Sequence, residues 1–224
     1  MRFLCLHGMG ANSRIFEMQT GAIRYSLGNR HTYEFIDGAV PAKMAPGIES
    51  IASPDDEFLQ YALDERESSL KALFDLERLV DQEGPFDGVM AFSQGAGLAA
   101  SLIVHKSQKD PHGQRQNPVF RCAVFFCGGV PADPSALVQN GKMRLLNFES
   151  DGELIEIPTA HIWGASDTLY PTFGPVLSKL CRQELRSVFV HNGGHEIPGA
   201  RDPEAVLKAA QVIKAAIERA NLPQ

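Results

Sequence analysis

Phe86-Asp87-Gly88-Val89-Met90-Ala91-Phe92 runs directly into Ser93-Gln94-Gly95-Ala96, and this stretch decides the fold. Residues 86–92 are an apolar run entered through Gly84-Pro85, the length and composition of a buried strand. Residues 96–105 are rich in alanine and leucine and read as a helix. Strand, tight turn and small-residue helix together approximate Gly-x-Ser-x-Gly, the turn that lifts a serine hydroxyl above the end of a sheet. Its flanking residues must be small because strand and helix pass close together there. Ala91 stands where that pattern has its first glycine. The Ser-x-Gly triplets at Ser26 and Ser150 lack this context: the first follows no strand, and the second leads into another strand candidate. The plain alternative for Ser93 is a helix N-cap.

Working outward, residues 2–6, 33–36, 121–127, 159–163 and 187–191 are further strand candidates. Residues 64–82 carry Leu70, Leu73, Phe74, Leu76, Leu79 and Val80 at mostly helical spacing. Residues 175–181 read as a short helix, and Asp202-Pro203 caps a long closing one. Ser53-Pro54-Asp55-Asp56 has the composition of a helix start, and residues 106–117 read as a polar loop. Within 131–157, residues 143–148 and 153–157 flank Ser150-Asp151-Gly152 as a hairpin candidate. Strands and helices alternate, and the strands are apolar throughout. That combination predicts an α/β fold, a mostly parallel sheet with helices on both faces. Residues 1–224 read as one domain with variable segments at 38–62 and 131–157.

A chain of 224 residues buries about 70% of its unfolded surface and needs no disulfide or metal staple. The net charge of −6 argues against a broad basic surface, and so against nucleic acid as a main partner. No apolar run approaches the ~20 residues that span a bilayer, so no membrane association is expected. The apolar start at Met1–Leu6 is too short for a signal peptide. The C-terminal Asn221-Leu222-Pro223-Gln224 carries no recognisable targeting signal. Cys5, Cys122, Cys127 and Cys181 form no Cys-x-x-Cys pair, which leaves a zinc site without support and favours a reduced, cytoplasmic chain.

A serine hydroxyl needs a base beside it and a third group to hold that base. In folds with this turn the chain order is serine, acid, histidine. Asp167 follows the strand at 159–163, and His195 follows the strand at 187–191. Both fall at the C-terminal ends of strands, where open α/β sheets place their sites. Asp133 and Asp151 are rival acids inside the variable segment, and His191 is a rival base within a strand. His7, His31, His105, His112 and His161 read as structural or surface residues. Negative charge developing on an acyl oxygen needs preorganised donors. The backbone N–H of Gln94 is one, and that of Met9 in His7-Gly8-Met9-Gly10 is the second, with Gly10 as its alternative. This constellation requires neither cofactor nor metal.

Taken together these residues resemble the fungal family-of-serine-hydrolases group within the α/β-hydrolases. Leu4-Cys5-Leu6-His7-Gly8-Met9-Gly10 with Ile15-Phe16 and Gln19-Thr20 is similar to that family's opening block. Glu83-Gly84-Pro85-Phe86-Asp87-Gly88-Val89 running into Phe92-Ser93-Gln94-Gly95-Ala96 is similar to its nucleophile block, and Gly194-His195-Glu196-Ile197-Pro198 to its histidine block. The family usually has glycine at the place of Ala91. The resemblance implies a compact α/β-hydrolase core and a carboxylesterase or thioesterase acting on a small-molecule acyl ester or thioester. It further implies a link to polyketide release in secondary metabolism, with an acyl-carrier protein as a candidate partner. Lys106, Lys109 and Arg115, in the stretch 105–115, are the cations such an acidic partner would meet. Two other readings stand beside this one. One is a general short-chain carboxylesterase; the other is a ligand receptor on a hydrolase scaffold, expected to lack a triad residue.

Overall fold

The computed structural model describes residues 1–140 and 143–222. Gly141 and Lys142, inside the 131–157 segment, and the terminal Pro223 and Gln224 lie outside the described residues. The chain begins β1 (Arg2–Leu6), α1 (Ser13–Leu27), β2 (Thr32–Ile36), β3 (Val40–Pro41), β4 (Leu59–Gln60) and α2 (Arg66–Glu83). It continues β5 (Gly88–Phe92), α3 (Gln94–Lys109), α4 (Pro111–Gln116) and β6 (Cys122–Phe126). A π-helical turn (Ala136–Asn140) and α5 (Phe148–Asp151) precede β7 (Thr159–Gly164), α6 (Phe173–Lys179), β8 (Arg186–His191) and α7 (Pro203–Ala220).

Six strands form one parallel sheet in the order β2-β1-β5-β6-β7-β8. Side chains alternate across it with period two. Phe3, Cys5, Met90, Phe92, Cys122, Val124 and Phe126 meet α1 and α7 on one face. Leu4, Leu6, Val89, Ala91, Ala123 and Phe125 meet α2 and α3 on the other. Apolar contacts on both faces explain why these strands read as unbroken apolar runs. From β1 the chain passes outward to β2 and then returns past β1 to β5. The crevice between the C-terminal ends of β1 and β5 is therefore the topological switch point.

Several local expectations are corrected. Residues 13–27, left unassigned by the apolar pattern, form α1, with Asn12 accepting from the Ile15 N–H at 2.8 Å as its cap. Ser53-Pro54-Asp55-Asp56 starts no helix. Its Asp56 carboxylate accepts the Ser53 N–H at 2.6 Å and the Arg14 Nε at 3.0 Å, and the chain leaves extended toward β4. The Arg14 guanidinium holds the Asp56 carboxyl down at about 2. Residues 106–117 are not a loop: α3 continues to Lys109, and Asp110 caps α4. The hairpin around Ser150-Asp151-Gly152 does not form. Phe148–Asp151 is a helical turn, while Leu145 bridges antiparallel to Ala132 and Ile155 bridges parallel to Cys181. Asn147 supplies the capping oxygen that turns the chain there, accepting from the Ser150 N–H at 3.0 Å.

Gly95 is fixed by close approach. A methyl group there would lie 2.5 Å from the His7 carbonyl oxygen and 2.8 Å from Leu6 Cβ. Gly21, inside α1, has open space where a Cβ would stand. Gly95→Ala is accordingly expected to destabilise the fold by about 1–3 kcal/mol through overpacking. Gly21→Ala is expected to stabilise it by about 0.5–1 kcal/mol through helix propensity. Urea unfolding of both variants checks the opposite signs.

His161 lies fully buried against Phe125, with Nε2 3.0 Å from the Thr159 hydroxyl. Burial pushes it down from its ordinary 6.5 to about 3, with Arg186 adding to the effect. Between those values the unfolded chain binds a proton that the folded chain refuses. Stability should therefore fall as pH drops from 6.5 toward 3. In His161→Gln the slope of unfolding free energy against pH over that window should flatten by up to about 1.4 kcal/mol per pH unit.

Candidate active site

Strand β5 is buried along its whole length and delivers the chain to Ser93 at the sheet edge. Ser93 has φ 50° and ψ −117°, a positive φ that costs a non-glycine residue about 1–3 kcal/mol. Four backbone bonds hold it there. Its N–H donates to the Phe126 carbonyl at 3.0 Å, and its carbonyl accepts from Ala96, Gly97 and Gly129 at 3.1, 3.2 and 2.9 Å. The reversed backbone turns the side chain away from the N-cap geometry, and no capping bond forms.

The loops after β7 and β8 are stitched to each other. The Ala165 N–H donates to the His191 carbonyl at 2.7 Å, and the Ser166 N–H to that of Gly193 at 3.0 Å. Gly164 permits this contact, since a Cβ there would sit 2.1 Å from the Gly193 carbonyl oxygen. The stitched loops bring Asp167 and His195 together across 28 residues of chain. His195 Nδ1 lies 2.6 Å from Asp167 Oδ2, and His195 Nε2 lies 2.9 Å from Ser93 Oγ. Asp167 Oδ1 accepts the N–H groups of Leu169 and Tyr170 at 3.1 and 2.9 Å, which fixes the carboxylate plane. The imidazole is enclosed by Phe92 and Tyr170, with ring centroids at 5.1 and 4.8 Å, and Phe173 stacks on Tyr170 at 4.5 Å. The hydrogen bonds leave Nδ1 as the donor toward the carboxylate and Nε2 as the acceptor from the serine.

The rival residues are occupied elsewhere. Asp133 and Asp151 both pair with Arg144, whose Nε is 2.9 Å from Asp133 and whose Nη1 is 3.0 Å from Asp151. His191 Nδ1 accepts the Gly193 N–H at 3.1 Å from within β8. His7 is structural: its Nδ1–H donates to the Gly8 carbonyl at 2.7 Å, and its Nε2 accepts the Gly38 N–H at 2.9 Å. Burial lowers its proton affinity and keeps that neutral tautomer.

The loop after β1 flanks Ser93 closely, since a Cβ on Gly8 would lie 3.3 Å from Ser93 Cβ. The Gly10 N–H is spent on the Leu59 carbonyl at 2.8 Å. Among the described residues neither the Met9 nor the Gln94 N–H meets an acceptor, which leaves both available. The sequence reading missed what positions them. The His7 N–H donates to the Tyr61 hydroxyl at 3.1 Å, which in turn donates to the Ile36 carbonyl at 3.0 Å. The Gln94 side chain accepts the Tyr61 N–H at 2.8 Å and donates to the Ala62 carbonyl at 2.7 Å. A buried tyrosine at the end of an irregular segment is a composition signal for such a role, but nothing local says which partner it finds.

Beside Ser93 opens a cavity of about 320 Å³, lined among others by Met9, Tyr61, Leu73, Leu98, Leu137 and Tyr170. The variable 38–62 segment contributes only its end, Gln60, Tyr61 and Ala62. Ala45, Ile48, Ile51 and Phe58 instead gather with Ala11 and Ile15. The 131–157 segment supplies Ala132, Leu137, Met143 and Leu145. Cys127 brings a thiol within 4.8 Å of the Asp167 and His195 ligand atoms, the set among the described residues with metal-ligand composition. Burial pushes that thiol up to about 12, so it stays protonated beside a carboxylate and an imidazole already bonded to each other. The donor set as it stands suits the hydrogen-bonded pair better than a cation.

Comparison with known proteins gives the family. A family model described as serine hydrolase (FSH1) matches residues 1–205. The chain is 40% identical to the esterase FPY3 of Fusarium mangiferae, with all of both chains covered. It is 31% identical to the hydrolase phiM of Talaromyces stipitatus, covering 93% of this chain and 84% of the other. A carboxylesterase from Mesorhizobium loti shares the fold at a TM-score of 0.58 and 18% identity, over 92% of this chain and 86% of that one. With the family's model matched along nearly its whole length and a relative at 40% identity end to end, the chain belongs to the FSH1 family of serine hydrolases.

Proposed function

We propose that the chain, acting as one domain, hydrolyses a small-molecule carboxyl ester or acyl thioester through an acyl-enzyme formed on Ser93. The observation that carries this reading is the continuous chain of hydrogen bonds from Ser93 Oγ through His195 to Asp167, at 2.9 and 2.6 Å. Ser93 Oγ attacks the acyl carbonyl carbon while His195 Nε2 takes its proton. The oxygen that gains the negative charge is met by the Met9 and Gln94 N–H groups. Collapse of the tetrahedral intermediate breaks the bond to the leaving alcohol or thiol, which receives the proton from His195. Water then attacks the acyl-enzyme, gives a proton to His195, and releases the carboxylic acid as Ser93 recovers its hydrogen. Asp167 orients the imidazole and stabilises its charged form.

The acyl group in this reading is a polyketide-type chain released in secondary metabolite biosynthesis. The family resemblance, the esterase and hydrolase names of the fungal relatives and the apolar cavity beside Ser93 support it. The intact triad disfavours a non-catalytic receptor. The surface expected to dock a carrier protein lacks support. Lys106 pairs with Glu77 and Asp81 at 3.2 and 2.8 Å, Lys109 with Glu77 at 3.0 Å, and Arg115 with Glu156 at 3.3 Å. The substrate in this reading therefore arrives as a small molecule. A cytoplasmic setting is supported by four free, buried cysteines, and no described helix is long and apolar enough to cross a membrane.

A fluorophosphonate probe should label the enzyme once, at Ser93, and mass spectrometry of the labelled peptide locates the adduct. Ser93→Ala should remove both labelling and turnover. Ser93→Gly should also be inactive yet more stable than Ser93→Ala by about 1 kcal/mol, because glycine accepts the positive φ without strain. Thermal unfolding of the two variants reads that difference.

His195→Ala and Asp167→Asn should each lower kcat by ~10⁴-fold. His191→Gln should retain turnover. Steady-state kinetics on a common ester distinguishes the two histidines, and equal loss in both would count against His195.

A further inference from the structure

The cavity of about 320 Å³ beside Ser93 is larger than a short acyl group requires, and its lining bears on the substrate. We infer that it is an acyl-chain trough laid along α3, selecting apolar chains of medium length, with Leu73, Leu98 and Leu137 setting the limit. This inference rests on the proposed role of Ser93. The direction follows from the four substituents of a tetrahedral carbon bonded to Ser93 Oγ. Its oxyanion turns to the N–H groups of Met9 and Gln94. Its leaving group must face His195 Nε2, where Tyr170 and Phe173 enclose the imidazole. The remaining substituent, the acyl chain, is left to run over the helix that starts at Gln94.

Gln94, Gly97, Leu98 and Ser101 line the cavity with the i, i+3, i+4, i+7 spacing of one helix face. Seven residues at 1.5 Å each give a floor of about 10 Å, room for on the order of eight carbons. The polar groups on this floor are already satisfied and do not ask for a polar chain. The single Ser101 O–H is shared between the Gly97 and Ala132 carbonyls, each 3.0 Å away, and both Gln94 side-chain atoms are bonded to the 61–62 backbone. Leu73 and Leu137 are each 1% exposed and form the deep walls, whereas Leu63, Met143 and Leu145 are exposed at the mouth. The walls are tied across the trough: Arg66 at the start of α2 donates through Nε to the Leu137 carbonyl at 3.2 Å.

The test is kcat/KM on p-nitrophenyl esters from acetyl to dodecanoyl for the wild type, Leu98→Trp and Leu73→Ala. Fluorophosphonate titration counts the folded, reactive enzyme in each sample. The wild type should rise roughly tenfold or more from acetyl to octanoyl and fall beyond decanoyl. Leu98→Trp should lower the octanoyl-to-acetyl ratio by about tenfold, and Leu73→Ala should shift the optimum to longer chains. Leu98→Trp fills space at a half-buried position, so it reads the trough even where Leu73→Ala unfolds. A flat wild-type profile with Ser93 labelled, or a Leu98→Trp profile scaled equally at all lengths, overturns the trough alone. Turnover without labelling of Ser93 overturns the underlying nucleophile assignment as well.

Discussion

The first turn of α3 lies against the end of β1, and the arrangement of the site depends on that contact. Only a residue without a side chain fits at position 95, where a methyl would meet the His7 carbonyl at 2.5 Å. Because the helix comes so near, the chain must reverse within a single residue, and Ser93 carries the positive φ. The same proximity puts the Gln94 N–H next to the loop after β1, which carries the Met9 N–H. The two donors come from strands that are adjacent in space but lie on opposite sides of the topological switch point. A sheet that placed β5 elsewhere would separate them.

Electrostatic preorganisation here is largely a matter of backbone. His7 in its neutral tautomer, the Tyr61 hydroxyl and the Gln94 carboxamide join the loop after β1, the end of β4 and the start of α3 into one hydrogen-bonded unit. None of the three titrates in the working range to disturb it, since burial lowers His7 and raises Tyr61, and an amide does not ionise. The Met9 and Gln94 N–H groups are held by side chains outside the hydrogen-bonded chain of Ser93, His195 and Asp167, whose members sit on loops from β5, β7 and β8. In the proposed reaction, strain at Ser93 is thus supported by a framework that stays fixed when the imidazole gains and loses its proton.

The residues that come together in the site were legible because each follows an apolar strand in the sequence. Ser93, Asp167 and His195 need only the strand ends to be found, and parallel sheets bring strand ends together. What the sequence did not show is why Gly10 is a poor alternative to Met9: the Gly10 N–H is consumed by Leu59, far along the chain. The errors fall where a polar side chain chose between local and distant partners. Asp56 binds Arg14 and the Ser53 N–H, so a sequence with helix-start composition becomes a turn. Asn147 caps a helical turn where a hairpin was expected. Lys106 and Lys109 look free in sequence because their carboxylates, Glu77 and Asp81, lie on a different helix.

The described residues of the 132–151 stretch bond to one another. Ala132 and Leu145 bridge antiparallel, and one guanidinium, that of Arg144, joins Asp133 to Asp151. None of these bonds involves a strand of the main sheet. Beyond the ties of Ala132 to Ser101 and of Leu137 to Arg66, such an excursion can change length and lining at small entropic expense to the rest of the molecule. In the proposed trough, rewriting this one contiguous stretch would change the acyl preference while leaving Ser93, Asp167 and His195 untouched.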